Sequence, residues 1–186
     1  MFTDNMIRSI SIQSKTFIFL GDFMQLGEEY CMGIDPGSTN AGYAFYNIHS
    51  YHCGSAMDTY TRKLHIEKFK PVFCVMEKVG AMPEDSKNAV SKFMRSVGVW
   101  EGILGVYDIP IREVPPRVWA RSVGITIPAC LGMKKDAKKR KQKKAKLAAA
   151  RIRFPKADLS LEKHIDKAEA LFMAECAHNL FFGKQL

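Results

Sequence analysis

Four carboxylates stand at positions where divalent metal ions could be held. Asp35 ends a short apolar run and Glu77 ends a second one, while Asp166 and Glu169 lie three positions apart and so share one helix face. Carboxylate oxygens are the ligands that Mg²⁺ prefers. Two ions about 3.5–4 Å apart would activate a water and clamp the attacking and leaving oxygens of a phosphodiester. In this hypothesis Asp35 bridges both ions, Glu77 binds one, and the helix acids complete the second site.

Each acid also has an ordinary structural explanation. Asp35 opens the sequence Asp-Pro-Gly, which is common turn chemistry. Asp166 and Glu169 would repel each other unless a cation lay between them, and Lys163 or Lys167 is near enough in sequence to supply it. Both alternatives stay open when each segment is taken alone.

A strand–turn–strand pattern places the first acid. Cys31–Ile34 and Gly42–Asn47 are predicted strands, joined by a turn that starts at Asp35. Because successive strand side chains alternate between faces, Asp35 lies on the side of Cys31 and Gly33. The small side chains there leave room for a bulky group.

A second strand delivers Glu77. The apolar run Val72–Met76 is rich in β-forming residues, which predicts a strand buried on both faces. Glu77 falls on the same face as Phe73 and Val75. Two buried strands thus each end in a carboxylate, at the edge where ligands bind in α/β sheets.

The rest of the chain alternates strands and helices. The further predicted elements are a strand over Tyr51–Met57, a short helix over Thr59–Lys70, a loop over Lys78–Asp85, a long helix capped by Ser86 and ending near Tyr107, a strand over Ile109–Val114, a short helix over Arg117–Arg121 and a last helix over Lys163–Phe182. In the short helix, Trp119 is interpreted as a core anchor rather than as a base-stacking residue.

The long helix carries two stripes. Its apolar stripe faces the core and consists of Val90, Phe93, Val97, Trp100, Leu104 and Tyr107. Gly98, Gly102 and Gly105 form a second stripe, and glycine costs a helix interior about 1 kcal/mol relative to alanine. Such a stripe indicates that another backbone packs closely, and a helix of the same chain is favoured over a second subunit. Glu101 is expected to reach solvent.

The charge of the chain favours an acidic partner. The formal net charge is +9 and the pI is about 9.3, as in many proteins that bind nucleic acid. The basic run over Lys134–Lys146 is interpreted as a surface for phosphate backbones, with a solvated charge block or a localisation signal as alternatives. Its predicted DNA-binding residues are Lys134, Lys135, Lys138, Lys139, Arg140, Lys141, Lys143, Lys144 and Lys146.

The basic run also leads into a helix. Its first part is predicted to be a flexible loop and its end a helix that stops before Pro155. The predicted packing positions of that helix are Ala145, Ala148, Ala149 and Ile152. We expect Lys143, Lys144 or Lys146 to contact the scissile phosphate, and the sequence does not choose among them.

Other features of the sequence indicate the cellular compartment and the division of the chain into domains. Five scattered cysteines without a Cys-x-x-Cys pair indicate reduced thiols, and no apolar stretch reaches the roughly 18–20 residues of a membrane span. A cytoplasmic protein without a membrane partner is expected. Residues 1–29 are interpreted as an N-terminal arm of unknown role, ahead of one domain over residues 30–186.

Several segments resemble the RuvC-like Holliday-junction resolvases. The carrying motifs are Gly-Ile-Asp-Pro-Gly-Ser-Thr from Gly33, Met-Glu-Lys-Val from Met76, and Asp-Lys-Ala-Glu-Ala-Leu from Asp166. The segment Gly80–Trp119 is especially similar to phage-encoded members. Four acids appear in the family's order within a resemblance that covers roughly Tyr30–Phe182.

The resemblance implies an α/β fold of the RNase H-like class, with a mixed five-stranded sheet flanked by helices. It also implies a homodimer that cuts four-way DNA junctions by paired nicks, with two Mg²⁺ ions per active site and Mn²⁺ able to substitute. The family's catalytic and metal-binding acids carry over to Asp35, Glu77, Asp166 and Glu169. A phage-encoded member would act in recombination and repair of DNA in the host cytoplasm.

Two positions depart from the family pattern. Glu169 stands where many members have Asp, which keeps the charge but lengthens the arm. Bacterial members carry an aromatic residue after the second motif that probes the junction bases, whereas this chain has Gly80 and Met82. Weak sequence specificity is therefore expected.

Three other functions compete with a resolvase. An ATPase or sugar-kinase half-domain has the same fold, but it needs a second domain and leaves the basic run and helix acids unexplained. A non-catalytic DNA-binding module would bind DNA more tightly without acids near the phosphates, so the presence of all four acids disfavours it. A nuclease for forks or flaps has the same sequence signature as a junction nuclease.

Overall fold

The computed structural model describes residues 28–37, 41–55, 58–78 and 87–183. Outside these ranges lie most of the predicted N-terminal arm, most of the predicted loop after Glu77, and the predicted cap Ser86. The strands are β1 (Cys31–Asp35), β2 (Gly42–Tyr46), β3 (Tyr51–Ser55), β4 (Phe73–Glu77) and β5 (Ile111–Val114). The helices are α1 (Thr59–Phe69), α2 (Lys87–Val106), α3 (Pro116–Ser122), α4 (Lys135–Arg153) and α5 (Ile165–Phe181), the last preceded by a 3₁₀ turn over Glu162–His164.

The five strands form one mixed sheet in the order β3-β2-β1-β4-β5. β1, β2 and β3 pair antiparallel as consecutive strands, while β4 lies parallel to both β1 and β5. The sheet matches the predicted strands to within two residues at each described end. Two of its three interior strands, β1 and β4, end in Asp35 and Glu77.

Alternation along these strands divides the core between the two faces of the sheet. Met32 and Ile34 pack with α1 and α2 on one face, around Trp100 and Leu104. Cys31 packs on the other face with α3, α4 and α5. The predicted apolar stripe of α2 is thus confirmed, and the acids fall on the α5 side of the sheet.

Helix α5 lies directly on the sheet because two glycines let it approach. A Cβ atom on Gly33 would come within 2.2 Å of Ala170 O, and one on Gly42 within 2.1 Å of the Asp166 carbonyl oxygen. The bulky group for which the small side chains of β1 leave room is therefore α5 itself. Eleven of its residues are buried, more than an amphipathic surface helix shows.

The second stripe of α2 does not pack as predicted. A Cβ atom on Gly98, Gly102 or Gly105 would meet no atom within 4 Å in the described part of the chain, apart from the helix's own backbone. Packing against another helix of the same chain, the favoured interpretation, is therefore wrong for the described residues. Met94 and Val106 are 57% and 79% exposed, so this face of α2 is open.

The basic run is helical almost from its start, which corrects the predicted loop. α4 begins at Lys135, because Lys and Arg are good helix formers and Asp136 lies in its first turn. Its buried residues are Leu147 and Ala150. The predicted packing of Ala148 and Ile152 is wrong, since both are exposed; Ile152 is 84% exposed.

Two smaller observations concern the cysteines and the helices. All five cysteines are free thiols. Among the described residues, no helix is both long enough and apolar enough to cross a membrane.

Candidate metal centre

Three of the four predicted acids come together where β1 meets the start of α5. Asp35 is the last residue of β1, and Asp166 lies in the first turn of α5 with Glu169 one turn later. One oxygen atom from each of these three carboxylates lies within 4.8 Å of the other two. The alternative explanation, a pair with Lys167, does not hold for these acids, because Lys167 Nζ lies 3.7 Å from Asp158 Oδ2 instead.

Glu77 lies beside this group. Its strand is the parallel neighbour of β1, with Ile34 opposite Met76, so Asp35 and Glu77 leave the sheet at the same edge. The indole Nε1 of Trp119 donates a hydrogen bond to Glu77 Oε2 at 3.3 Å. The carboxylate of Glu77 is therefore held by a group on α3.

The crowded acids disfavour their own ionisation. Burial, followed by the charges of Glu169, Glu77 and Asp166 and a hydrogen bond to Glu169, raises the pKa of Asp35 well above its usual range. Burial and Glu169 also raise the pKa of Asp166, which the charge of Lys143 lowers in part. Burial and the charge of Glu169 raise the pKa of Glu77 to about 7, against smaller opposing effects of Lys146 and Trp119.

One ammonium group already lies among these acids. Lys146 of α4 forms a salt bridge with Glu169, and their side chains are only 13% and 11% exposed. The Lys146 Nζ also lies 5.3 Å from the ring centre of Trp119, within the range of a cation–π contact. Of the predicted DNA-binding residues, Lys146 is the one in contact with the acids.

The donor set fits hard divalent cations. The converging side chains are carboxylates, with no Cys or His in the described three-acid group. Mg²⁺ and Mn²⁺ prefer such oxygen ligands. When the four carboxylates are ionised, Lys146 in contact and Lys143 nearby leave part of their charge uncompensated, so the site has both the ligand atoms and an electrostatic preference for added cations.

Comparison with known proteins identifies the architecture. No protein-family model and no curated protein sequence matches the chain. Among solved structures, Thermus thermophilus RuvC in complex with a Holliday junction substrate matches with a TM-score of 0.57 and 14% identity, over 84% of this chain and 97% of that chain. This chain has a RuvC-like fold.

A second Thermus thermophilus RuvC structure matches with a TM-score of 0.54 and 15% identity, over 83% of this chain and 97% of that chain. At these identities the likeness establishes the fold alone. The predicted α/β class, with a mixed five-stranded sheet and flanking helices, is confirmed.

The basic helix of the RuvC-like fold presents most of its cations to solvent. Of the predicted DNA-binding residues, the exposed ones are Lys134, Lys135, Lys138, Lys139, Arg140, Lys141, Lys143 and Lys144. Arg140, Lys143 and Lys144 line a hollow of about 280 Å³ together with Leu147 and Glu162. Lys143 is close enough to Asp166 to lower its pKa, so this cationic surface reaches the acids.

The raised carboxyl pKa values predict how stability depends on pH without metal. A folded-state pKa above the unfolded value means that the folded protein holds the proton more tightly, so stability falls as pH rises through the interval between the two values. For Glu77, from the ordinary 4.5 to about 7, this loss is about 3 kcal/mol. Urea unfolding in EDTA is expected to show lower stability at about pH 8 than at about pH 5.

Added Mg²⁺ should reverse this loss at the higher pH, because metal binding requires ionised carboxylates and stabilises only the folded chain. The Asp35→Asn variant serves as a control, since it removes one of the crowded acids. A stability that rose between these pH values in EDTA would show that the acids are not crowded as described.

Trp119 contacts the candidate site, which the sequence interpretation missed. It is fully buried, as expected for a core anchor, and its ring stacks on Phe172 with centroids 6.5 Å apart. The same residue also contacts Glu77 and Lys146. The one indication of these contacts in the sequence is that Trp119 follows β5, the strand whose last residue, Val114, pairs with Glu77.

We expect Trp119→Phe to weaken Mn²⁺ binding by about tenfold, the lower end of what loss of a ligand-orienting group costs. The ring stack is kept, but Glu77 loses its donor, so the pKa of Glu77 rises and binding needs a higher pH. Isothermal titration calorimetry at two pH values measures both effects. Trp100→Phe is the matched control, because Trp100 is equally buried and its Nε1 has no hydrogen-bond partner in the described chain. Equal affinities for both variants would remove Trp119 from the metal centre.

Proposed function

We propose that this protein is a metal-dependent, structure-selective endonuclease that resolves four-way DNA junctions by paired nicks. The observation that carries the proposal is the convergence of Asp35, Asp166 and Glu169 on a RuvC-like fold. A cationic helix beside the acids supports DNA as the substrate. The matched Thermus thermophilus structure holds a Holliday junction, which favours branched DNA over linear duplex.

The metal-binding residues in this proposal are Asp35, Glu77, Asp166 and Glu169. Two Mg²⁺ ions, or Mn²⁺ in their place, would supply a nucleophilic water and stabilise added charge on the phosphate. The fold would hold the carboxylate ligands in position from two layers: β1 and β4 of the sheet on one side, and α5 on the other. Because Glu169 contacts both Asp35 and Lys146, its longer side chain is compatible with a role in the site.

Lys146 is our choice for the lysine that contacts the scissile phosphate. Its ammonium group lies among the acids, whereas Lys144 is exposed and pairs with Glu162 at 3.2 Å. Added cations would weaken the attraction between Lys146 and Glu169, which frees the ammonium for a phosphate oxygen. The exposed cations of α4 would hold the junction arms, so binding should weaken steeply with salt.

Paired nicks require two active sites, so the proposal includes a homodimer formed through the open face of α2. Helix backbones can approach closely at Gly98, Gly102 and Gly105 because nothing described occupies the space over them. Val106 is 79% exposed at the end of this face. A partner helix there would bury an otherwise exposed apolar patch.

Val106→Lys is expected to shift the protein from dimer to monomer in light-scattering chromatography, because it places a charge in the proposed interface. Ile48→Lys is the control, since Ile48 is also exposed, at 53%, and lies in the β2–β3 turn. The monomer should nick junctions once rather than on two opposed strands. A wild-type protein that stays monomeric with and without junction DNA would exclude this dimer.

The proposal also includes the biological context of the enzyme and the division of the chain into domains. The similarity of Gly80–Trp119 to phage-encoded members supports a phage-type enzyme that acts in the host cytoplasm during recombination and repair. Residues 30–186 would form the nuclease domain, with residues 1–29 as an arm. Deletion of the arm is then expected to leave junction cutting intact.

Junction cutting tests the function itself. The purified protein is incubated with a labelled four-way junction, a replication fork, a flap and a linear duplex, each with Mg²⁺ or with EDTA. We expect paired nicks across the junction only with metal. Preferential cutting of the fork or flap would reassign the substrate. Tight junction binding without cutting in Mg²⁺ or Mn²⁺ would leave a DNA-binding module instead.

A further inference from the structure

A second feature of the surface lies beyond the acids, between α3 and the first half of α4. A groove of about 680 Å³ opens there, with residues 124–131 as its third wall. Hydrogen bonds fix this wall: the Ile125 N–H donates to Ala120 O at 2.8 Å, and Gln142 Nε2 donates to Pro128 O at 3.0 Å. The groove is thus held in shape by hydrogen bonds to α3 and α4, and its volume falls in the usual range of ligand sites.

Three cations line the groove without compensation. They are Arg117, Arg121 and Lys138, and the described lining residues include no acid. Within the described part of the chain, none of the three forms an ion pair with an acid. Uncompensated cations that face one space attract a polyanion.

The groove also has an apolar wall, beside the polar Thr126 and Gln142. Ile127 is half-buried in the groove, and Leu131 at its rim is 91% exposed. An apolar wall beside cations suits the face of a nucleobase next to its phosphate. In duplex DNA the base faces are covered by stacking, so such a wall contacts bases only where the strand is unpaired.

We propose that this groove binds an unpaired stretch of DNA strand. The inference rests on the proposed function, in which the same strand continues into the metal centre. Lys138 precedes Lys146 by eight positions on one helix, which is about 12 Å along the axis of α4. The groove would therefore hold nucleotides close to the cut, at the point where a junction exposes bases.

The first test measures binding without metal, so that it is independent of cleavage. Fluorescence anisotropy in EDTA compares an oligothymidylate of about twelve nucleotides with a duplex of the same length. Leu131→Asp is expected to weaken single-strand binding about tenfold and duplex binding much less. Ile152→Asp is the matched control, because Ile152 is also exposed, at 84%, lies on α4 and does not line the groove.

The second test counts phosphate contacts. The double variant Arg117→Gln/Arg121→Gln should reduce the salt dependence of single-strand binding by about 1.4 in log–log slope, since each lost phosphate contact accounts for about 0.7. Lys63→Gln/Lys68→Gln is the control with the same charge change, because both lysines are exposed on α1, on the opposite face of the sheet; it should leave the slope unchanged. Thermal unfolding verifies that all variants fold.

The outcomes separate the groove from the nuclease. Equal effects of Leu131→Asp and Ile152→Asp on single-strand binding, or an unchanged salt slope, would overturn the inference even if the wild type cuts junctions. Leu131-dependent single-strand binding by a protein that cuts no DNA would support the groove and refute the nuclease. If Leu131→Asp abolishes binding of an acidic, leucine-rich peptide but not of the oligothymidylate, the groove is a protein-binding site.

Discussion

Asp35→Asn is expected to abolish metal-dependent junction cutting, by on the order of 10³-fold or more, while junction binding is retained. Asp35 is the strand residue of the three-acid group, so its loss would remove a proposed ligand that α5 does not replace. The amide keeps the size of the side chain and removes a negative charge near phosphate. DNA affinity should therefore stay equal or rise, measured by gel shift in EDTA.

The same substitution should not destabilise the metal-free protein. The pKa of Asp35 is raised by burial and by neighbouring acids, so ionised Asp35 costs stability at neutral pH and a neutral amide does not. Loss of cutting with an equal or higher melting temperature would thus identify a functional acid. Asp108→Asn is the control, because Asp108 is exposed with φ near 52°, a conformation that Asn tolerates. If both variants cut junctions at the wild-type rate, the metal centre is wrong.

Lys146→Met is expected to destabilise the metal-free protein by about 3 kcal/mol, because it leaves Glu169 buried without its counter-charge. Methionine keeps most of the apolar stem that packs near Trp119, so packing loss contributes little. In a domain of this size the melting temperature should fall by roughly 10 °C. Added Mn²⁺ should restore much of the loss, since the metal takes over compensation of the acids.

Lys144→Met is the matched control for Lys146→Met. The Lys144 and Glu162 side chains are 69% and 78% exposed, so that substitution should cost less than about 0.5 kcal/mol and gain nothing from metal. Junction cutting should fall strongly for Lys146→Met and weakly for Lys144→Met. Equal melting temperatures for the two variants in EDTA would show that Lys146 does not compensate Glu169.

The sheet and the positions of the acids were predictable because each rests on a local pattern. Alternation placed Asp35 on the Gly33 side of β1, and a continuous apolar run marked β4 as buried on both faces. The spacing of Asp166 and Glu169 put both on one face of α5. Asp35 and Glu77 could be placed together because the carboxyl ends of parallel strands meet at one edge of a sheet, and β1 and β4 are parallel.

The errors arose where tertiary contacts decide. The charge density of residues 134–146 indicated a loop, but α4 is anchored further along by Leu147 and Ala150. The choice among three lysines depended on how α4 packs against α5, which no local pattern encodes. In the same way, the glycines of α2 indicated a close neighbour, yet the described chain provides none.

The two glycines under α5 carry a consequence for ion selectivity. The strand acids belong to the sheet and Asp166 and Glu169 to the helix, so in the proposed metal centre the gap between these layers would set the size of the cation site. A methyl group at Gly33 would lie 2.2 Å from the α5 backbone, where ordinary contacts begin at 3.4 Å. Relief of that overlap would wedge the layers apart and shift the preference from Mg²⁺, with its oxygen distances of about 2.0–2.1 Å, towards the larger Ca²⁺. The absence of a Cβ atom at Gly33 and at Gly42 would thus set the ionic radius that the proposed centre accepts.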